Sequence, residues 1–176
     1  MAETSKWREK ITNLKNRKTD AKIMGGSDKV TKHHATGKMD ARQRIDSLLQ
    51  GGSFTEVGQL AGGEVTAFVA GVGSLNGRAV AVGCEDFTVK GGSIGRAESA
   101  KRYRIAELAL QERIPLIMLL EGAGHRPPFP DDPPSFRTPG DLQAQADASG
   151  RIPLVTAVLG PSAGHGALSA PLADFT

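Results

Sequence analysis

The sequence predicts an α/β fold from three observations. Two aliphatic runs, residues 116–120 and 154–159, are long enough for a buried strand and too short for a helix of ordinary length. Between and before them lie helix-compatible segments, so the order reads hairpin, helix, strand, helix, strand, helix. Upstream, two Val-rich runs flank Asn76-Gly77, the strongest short hairpin signal a sequence carries.

Taken in order, residues 1–24 read as a basic helix with Trp7, Ile11 and Leu14 near one face. Gly25-Gly26-Ser27 breaks it, and a second basic stretch carries Lys29, Lys32, His33, His34 and Lys38. Asp40 can cap the next helix, 41–49, and Gln43 can reach back to complete a capping box. Gly51-Gly52 ends that helix. Residues 64–72 and 78–83 are the hairpin strands, the second extended by 85–89. A glycine loop at 91–95 leads into an amphipathic helix over 98–111. Ile105, Leu108 and Ala109 are expected inward, with Lys101, Arg102 and Arg104 outward. Residues 127–139 hold six of the ten prolines, which predicts a loop. A short helix follows over 141–148, then the second aliphatic strand. Residues 163–176 predict a last helix, kinked or shortened by Pro171, so the sequence stops inside an element.

Composition restricts the function classes. The 176 residues suit one core and at most two small domains. Hydrophobic residues make up 39% and charged residues 23%, as in soluble globular proteins. No apolar run approaches the roughly 20 residues of a membrane span, and no secretory signal is visible. The single cysteine, Cys84, excludes an internal disulfide and suits a reducing, cytoplasmic setting. The net charge of +3 is uneven, with 12 Lys/Arg against 6 Asp/Glu in residues 1–50. That basic segment has no interleaved aromatics and no nucleic-acid motif, so neither nucleic acid nor membrane is expected as a partner.

Each aliphatic strand runs into a small-residue turn that ends in histidine. The first reads Gly122-Ala123-Gly124-His125 and the second Ala163-Gly164-His165. Two such turns at neighbouring strand ends can aim backbone N–H groups at one point, the geometry an oxyanion needs. Gly124, His125, Gly164 and His165 are therefore the candidate catalytic residues. Each imidazole can polarise a carbonyl or move a proton, or only its backbone N–H matters. Gly91-Gly92-Ser93-Ile94-Gly95 also matches the Gly-x-Ser-x-Gly nucleophile elbow. A Ser93 nucleophile requires His125 or His165 as base and Glu121 or Asp131 as acid. The alternative is a loop whose glycines let a helix pack close to a strand. His33 and His34 are adjacent and cannot share one face, so no metal site is expected.

Several segments in register resemble the β subunits of acyl-CoA carboxylases, of the propionyl-CoA and acetyl-CoA type. They are Gly37-Lys-Met-Asp-Ala-Arg-Gln-Arg-Ile45 with Gly52-Ser-Phe-Thr-Glu56, and Asp86-Phe-Thr-Val-Lys-Gly-Gly-Ser-Ile-Gly95. Ala148-Ser-Gly-Arg-Ile-Pro153 and Gly160-Pro-Ser-Ala-Gly164 through Asp174-Phe175 complete the set. The resemblance implies a crotonase-like (ClpP/crotonase) superhelix of ββα units, here a partial N-terminal domain preceded by basic helices. It divides the chain into a basic helical segment, 1–50, and an acyl-CoA-binding domain, 51–176, truncated at its C-terminus. Where the family usually reads Ser-Gly-Gly-Ala-Arg and Ala-Gly-Gly in the two turns, this chain has His125 and His165.

The implied function is the carboxyltransferase step of a biotin-dependent acyl-CoA carboxylase. Acyl-CoA is the substrate, and carboxybiotin, delivered by a biotin carrier protein, binds in the missing C-terminal half. Lys38 and Arg42, with the glycine loop Gly91, Gly92 and Ser93, are the candidates for holding CoA. The expected partners are a biotin carboxylase/biotin carrier subunit, a C-terminal carboxyltransferase half and further copies in a hexamer. Two alternatives stay open: a biotin-independent thioester decarboxylase or hydrolase using a histidine as acid, and a non-catalytic CoA-binding half-subunit.

Overall fold

A computed structural model describes residues 2–62, 65–127 and 140–176. Three helices come first: α1 (Ala2–Asp20), α2 (Ser27–His34) and α3 (Ala41–Leu48). The expected capping box of α3 is present. Asp40 Oδ1 accepts from the N–H groups of Arg42 and Gln43, both at 2.9 Å, and Gln43 Oε1 accepts from the Asp40 N–H at 3.2 Å.

A five-stranded sheet follows in chain order: β1 (Thr55–Glu56), β2 (Phe68–Leu75), β3 (Arg78–Glu85), β4 (Leu116–Gly122) and β5 (Leu154–Ser162). The first three strands pair antiparallel, and β3, β4 and β5 run parallel. Leu75 faces Arg78 across a two-residue turn. Asn76 and Gly77 both take positive φ, 50° and 78°, as a type I′ turn requires. The second strand ends at Glu85 rather than running to residue 89. Asp86 Oδ1 accepts from the Thr88 N–H at 2.9 Å and its hydroxyl at 2.6 Å, and that local turn outcompetes the ladder.

Side chains alternate along β4, so the sheet has two apolar faces. On one, Leu116, Met118 and Leu120 pack against Ile105, Ala106 and Ala109 of α4 (Arg96–Glu112) and Ala144 and Ala148 of α5 (Asp141–Ala148). On the other, Ile117 and Leu119 pack against Ala41, Ile45 and Leu49. β3 and β4 are thus covered on both sides by helices, while the far end of β5 is exposed.

Two expectations are corrected. Lys101 and Arg102 are buried, not outward. Lys101 Nζ donates to Thr66 Oγ1 at 2.6 Å and Phe68 O at 3.0 Å, and the Arg102 guanidinium is consumed by acidic and hydroxyl partners described below. The last helix is also much shorter than 163–176: α6 spans only Gly164–Ala167. Beyond it the chain turns back onto β5, where Thr156 N–H donates to Phe175 O and Asp174 N–H to Leu154 O, both at 2.8 Å. Asp174 Oδ2 accepts from the Leu154 N–H at 2.7 Å. The edge of β5 offers these tail residues hydrogen bonds that a helix over 163–176, interrupted at Pro171, would forgo.

Candidate active site: two converging glycine turns

The parallel pairing of β4 and β5 ends with Gly122 opposite Ser162, after a register shift between Leu120 and Gly122. Both strands therefore release their turns at the same sheet end. Ala163 N–H donates to Gly122 O at 3.0 Å. A Cβ on Gly124 would lie 2.6 Å from Ala163 O and 3.3 Å from Gly164 Cα, so the two turns touch through backbone. Gly124 also holds φ at 82°, which a side chain would strain. The rings of His125 and His165 meet edge to face, centroids 5.9 Å apart. Among the described residues, the N–H groups of Gly124, His125, Gly164 and His165 have no protein acceptor. Four donors left open at one backbone crossing can receive an oxyanion.

The glycine loop braces the first turn. Ala123 N–H donates to Gly91 O at 3.0 Å, Ile94 N–H to Gly124 O at 2.7 Å, and Arg126 N–H to Ile94 O at 2.9 Å. A Cβ on Gly92 would sit 2.4 Å from Glu121 O, so this approach needs glycine. Ser93 Oγ donates to Lys90 O at 2.8 Å and lies 3.4 Å from Arg126 Nη1. No described base or acid contacts it, which is the loop reading of the motif rather than a triad. Asp131 and most of the proline-rich stretch fall outside the described residues. Arg126 also donates to Glu98 at 3.0 Å. Burial alone would raise the Glu98 carboxyl, but the N–H groups of Ala67 and Gly95 and the Arg126 charge outweigh it and hold the pKa low.

The two predicted CoA-holding cations are already paired. Lys38 Nζ donates to Glu121 Oε1 at 2.6 Å, and Arg42 forms a two-pronged pair with Glu56 at 3.0 and 3.2 Å. Glu121 is the strand residue before the first turn, and Arg44 holds its other oxygen. Lys38 thus connects to the turn through Glu121, whereas Arg42 is anchored at β1.

A second buried network lies under the other turn and was missed from sequence. His165 Nε2 is 2.8 Å from Asp141 Oδ1. Asp141 Oδ2 accepts from Arg102 Nε at 2.9 Å. Arg102 Nη1 donates to Glu85 Oε1 at 3.0 Å and Nη2 to Ser169 Oγ at 2.6 Å. Glu85 Oε2 accepts from the Glu121 N–H at 2.8 Å, linking the network to the first turn's strand. The signal for Arg102 was present: it shares a face with Ala106 and Ala109 by i, i+4, i+7 spacing.

Comparison with known proteins identifies the family and the fold. The carboxyl transferase domain matches residues 32–176. The propionyl-CoA carboxylase beta chain of Roseobacter denitrificans is 33% identical over 94% of this chain and 34% of its own length. The propionyl-CoA carboxylase carboxyltransferase subunit of Haloferax mediterranei is 34% identical over 96% of this chain and 35% of its own. Transcarboxylase 12S, solved as a hexamer with methylmalonyl-coenzyme A and methylmalonic acid bound, superposes with a TM-score of 0.79 at 29% identity, covering 96% of this chain and 35% of that one. The chain spans about a third of the length of these relatives. Its fold is the crotonase-like fold of the carboxyltransferases, and the chain belongs to the carboxyl transferase domain family.

Proposed function

We propose that this chain binds acyl-CoA and stabilises its enolate, as the carboxyltransferase component of a biotin-dependent acyl-CoA carboxylase. The observation that carries this reading is the backbone contact of Gly124 with Gly164, which gathers four uncommitted N–H donors. The thioester oxygen sits among them. When the α-carbon loses its proton, charge moves to that oxygen, and the fixed N–H dipoles meet it without reorganising. Losing one such donor costs on the order of 3 kcal/mol in barrier. With α6 only four residues long, the individual N–H groups do this work, and a helix dipole contributes little.

Carboxybiotin, the cofactor this reading implies, would supply the CO2. No residue described in this chain forms a cradle for it beyond the two turns, so none is assigned to hold it. Gly91, Gly92 and Ser93 act by bracing the first turn. Lys38 reaches CoA only by sharing its charge between a phosphate and Glu121. The reading keeps 51–176 as the acyl-CoA-binding domain and 1–50 as a basic segment whose α3 packs on the sheet. A cytoplasmic setting, a hexamer, a biotin carboxylase/carrier subunit and a C-terminal carboxyltransferase half belong to the same proposal. No described helix is long and apolar enough to cross a membrane.

Isothermal titration with propionyl-CoA and with its thioether analogue, which lacks the carbonyl oxygen, tests the reading. The thioester should bind at least about tenfold more tightly, roughly 1.4 kcal/mol. Equal affinity would remove the oxygen from the account, and no heat with either would remove acyl-CoA.

A further inference from the structure

The His165 ring is fixed at its tip. Nε2 faces Asp141 Oδ1 at 2.8 Å, and the same carboxylate receives the Arg102 guanidinium on its other oxygen. The Asp141 and Arg102 side chains are 4% and 0% exposed, whereas that of His165 is 28% exposed. A buried acid, backed by a buried arginine, is thus dedicated to a ring that reaches the surface at the turn. A carboxylate so held only accepts, so the proton of the neutral ring lies on Nε2 and Nδ1 keeps a lone pair. Covalent geometry places Nδ1 next to the ring's own attachment, on the side of the second turn. An acid that fixes one imidazole nitrogen and leaves the other with a lone pair is an arrangement suited to general-base catalysis.

We propose that His165 is the catalytic acid–base for the substrate's α-proton and that Asp141 is its positioning residue. This rests on the acyl-CoA reading above. The Nδ1 lone pair takes the α-proton. The C–H electron pair becomes the C=C bond of the enolate, and the thioester C=O pair moves to the oxygen held by the turn N–H groups. The reverse step returns the proton from the imidazolium to the α-carbon. The cycle needs no oxidant and no CO2 donor, so it is visible as exchange of the α-hydrogens with solvent.

The groups facing His165 are Asp141 from α5 and His125 from the first turn. Arg102 from α4 and Glu85 from β3 stand behind Asp141. Asp141→Asn removes the carboxylate that fixes the ring, which lowers exchange while leaving propionyl-CoA affinity unchanged.

The experiment incubates the 176-residue chain with propionyl-CoA in D2O, reads deuterium uptake by mass spectrometry, and titrates the same samples calorimetrically. The wild type binds and exchanges. His165→Gln keeps its affinity within about threefold and loses exchange by about a hundredfold, the low end of acid–base contributions. His165→Asn, with a shorter side chain, gives the same loss, and thermal melts establish that both variants are folded. Binding with exchange that survives His165→Gln, or wild-type binding with no exchange, overturns the role of His165 alone. Absence of binding overturns the acyl-CoA reading and this inference with it.

Discussion

Glu85 and Glu121 stand at the ends of neighbouring parallel strands, both fully buried and both paired with an arginine, yet they are driven in opposite directions. Burial dominates at Glu85 and raises its carboxyl pKa, because its cation, Arg102, also serves Asp141. Burial acts the same way on Glu121, but Lys38 and Arg44 together outweigh it and hold that carboxyl low, with His33 a further 3.7 Å contact. Glu85 is packed more deeply and has one cation, while Glu121 has two, and both differences push the signs apart. Arg102 is divided between two acids, whereas Glu121 draws on both Lys38 and Arg44.

Removing the shared cation breaks the comparison most severely. Arg102→Met leaves Glu85 and Asp141 buried without a guanidinium, and the expected loss is about 3–5 kcal/mol in urea unfolding. The same substitution frees Asp141, so His165 loses its fixed orientation. Glu121→Gln comes next: it strands Arg44 and Lys38 and costs about 1–3 kcal/mol at neutral pH. Glu85→Gln is the mildest, because the native carboxyl is already strained toward its neutral form, and its cost falls below that of Glu121→Gln.

The pH dependence sharpens the contrast. Glu121 is depressed, so its contribution is present above the ordinary carboxylate range and disappears as pH falls through its lowered value. The stability gap between wild type and Glu121→Gln therefore closes in acid. Glu85 is raised, so its contribution is full below the ordinary range and is lost as pH rises through its elevated value. The gap between wild type and Glu85→Gln moves the other way. Urea midpoints measured from pH 7 down to pH 3 read both slopes.

Most of the sheet was legible in the sequence, since its signals are local. Asn76-Gly77 allows one hairpin turn, Asp40 with Gln43 allows one helix start, and the aliphatic runs at 116 and 154 have only a buried strand to form. The two turns were legible as well, because a strand run that ends in Gly-rich sequence announces a close backbone approach. What stayed hidden was the chemistry beneath them. The spacing of Arg102 with Ala106 and Ala109 marks it as inward, but its acids at 85 and 141, and the Phe68 carbonyl that holds Lys101, arrive from elsewhere in the chain. The pairing of His165 with Asp141 spans 24 residues and no spacing rule encodes it. The final helix was overestimated for the converse reason. Residues 168–176 carry acceptable helical composition, but the edge of β5 supplies competing partners that the local sequence cannot reveal.

The account stands on a thioester oxygen held between the turns, and amide NMR reports on that directly. In a 15N-labelled sample titrated with propionyl-CoA, the N–H resonances of Gly124, His125, Gly164 and His165 should move downfield together, while those of Ala123 and Ala163, already bonded to Gly91 and Gly122, stay in place. The thioether analogue should leave all six unmoved. Shifts confined to one turn, or equal shifts with the analogue, would contradict a shared oxyanion site.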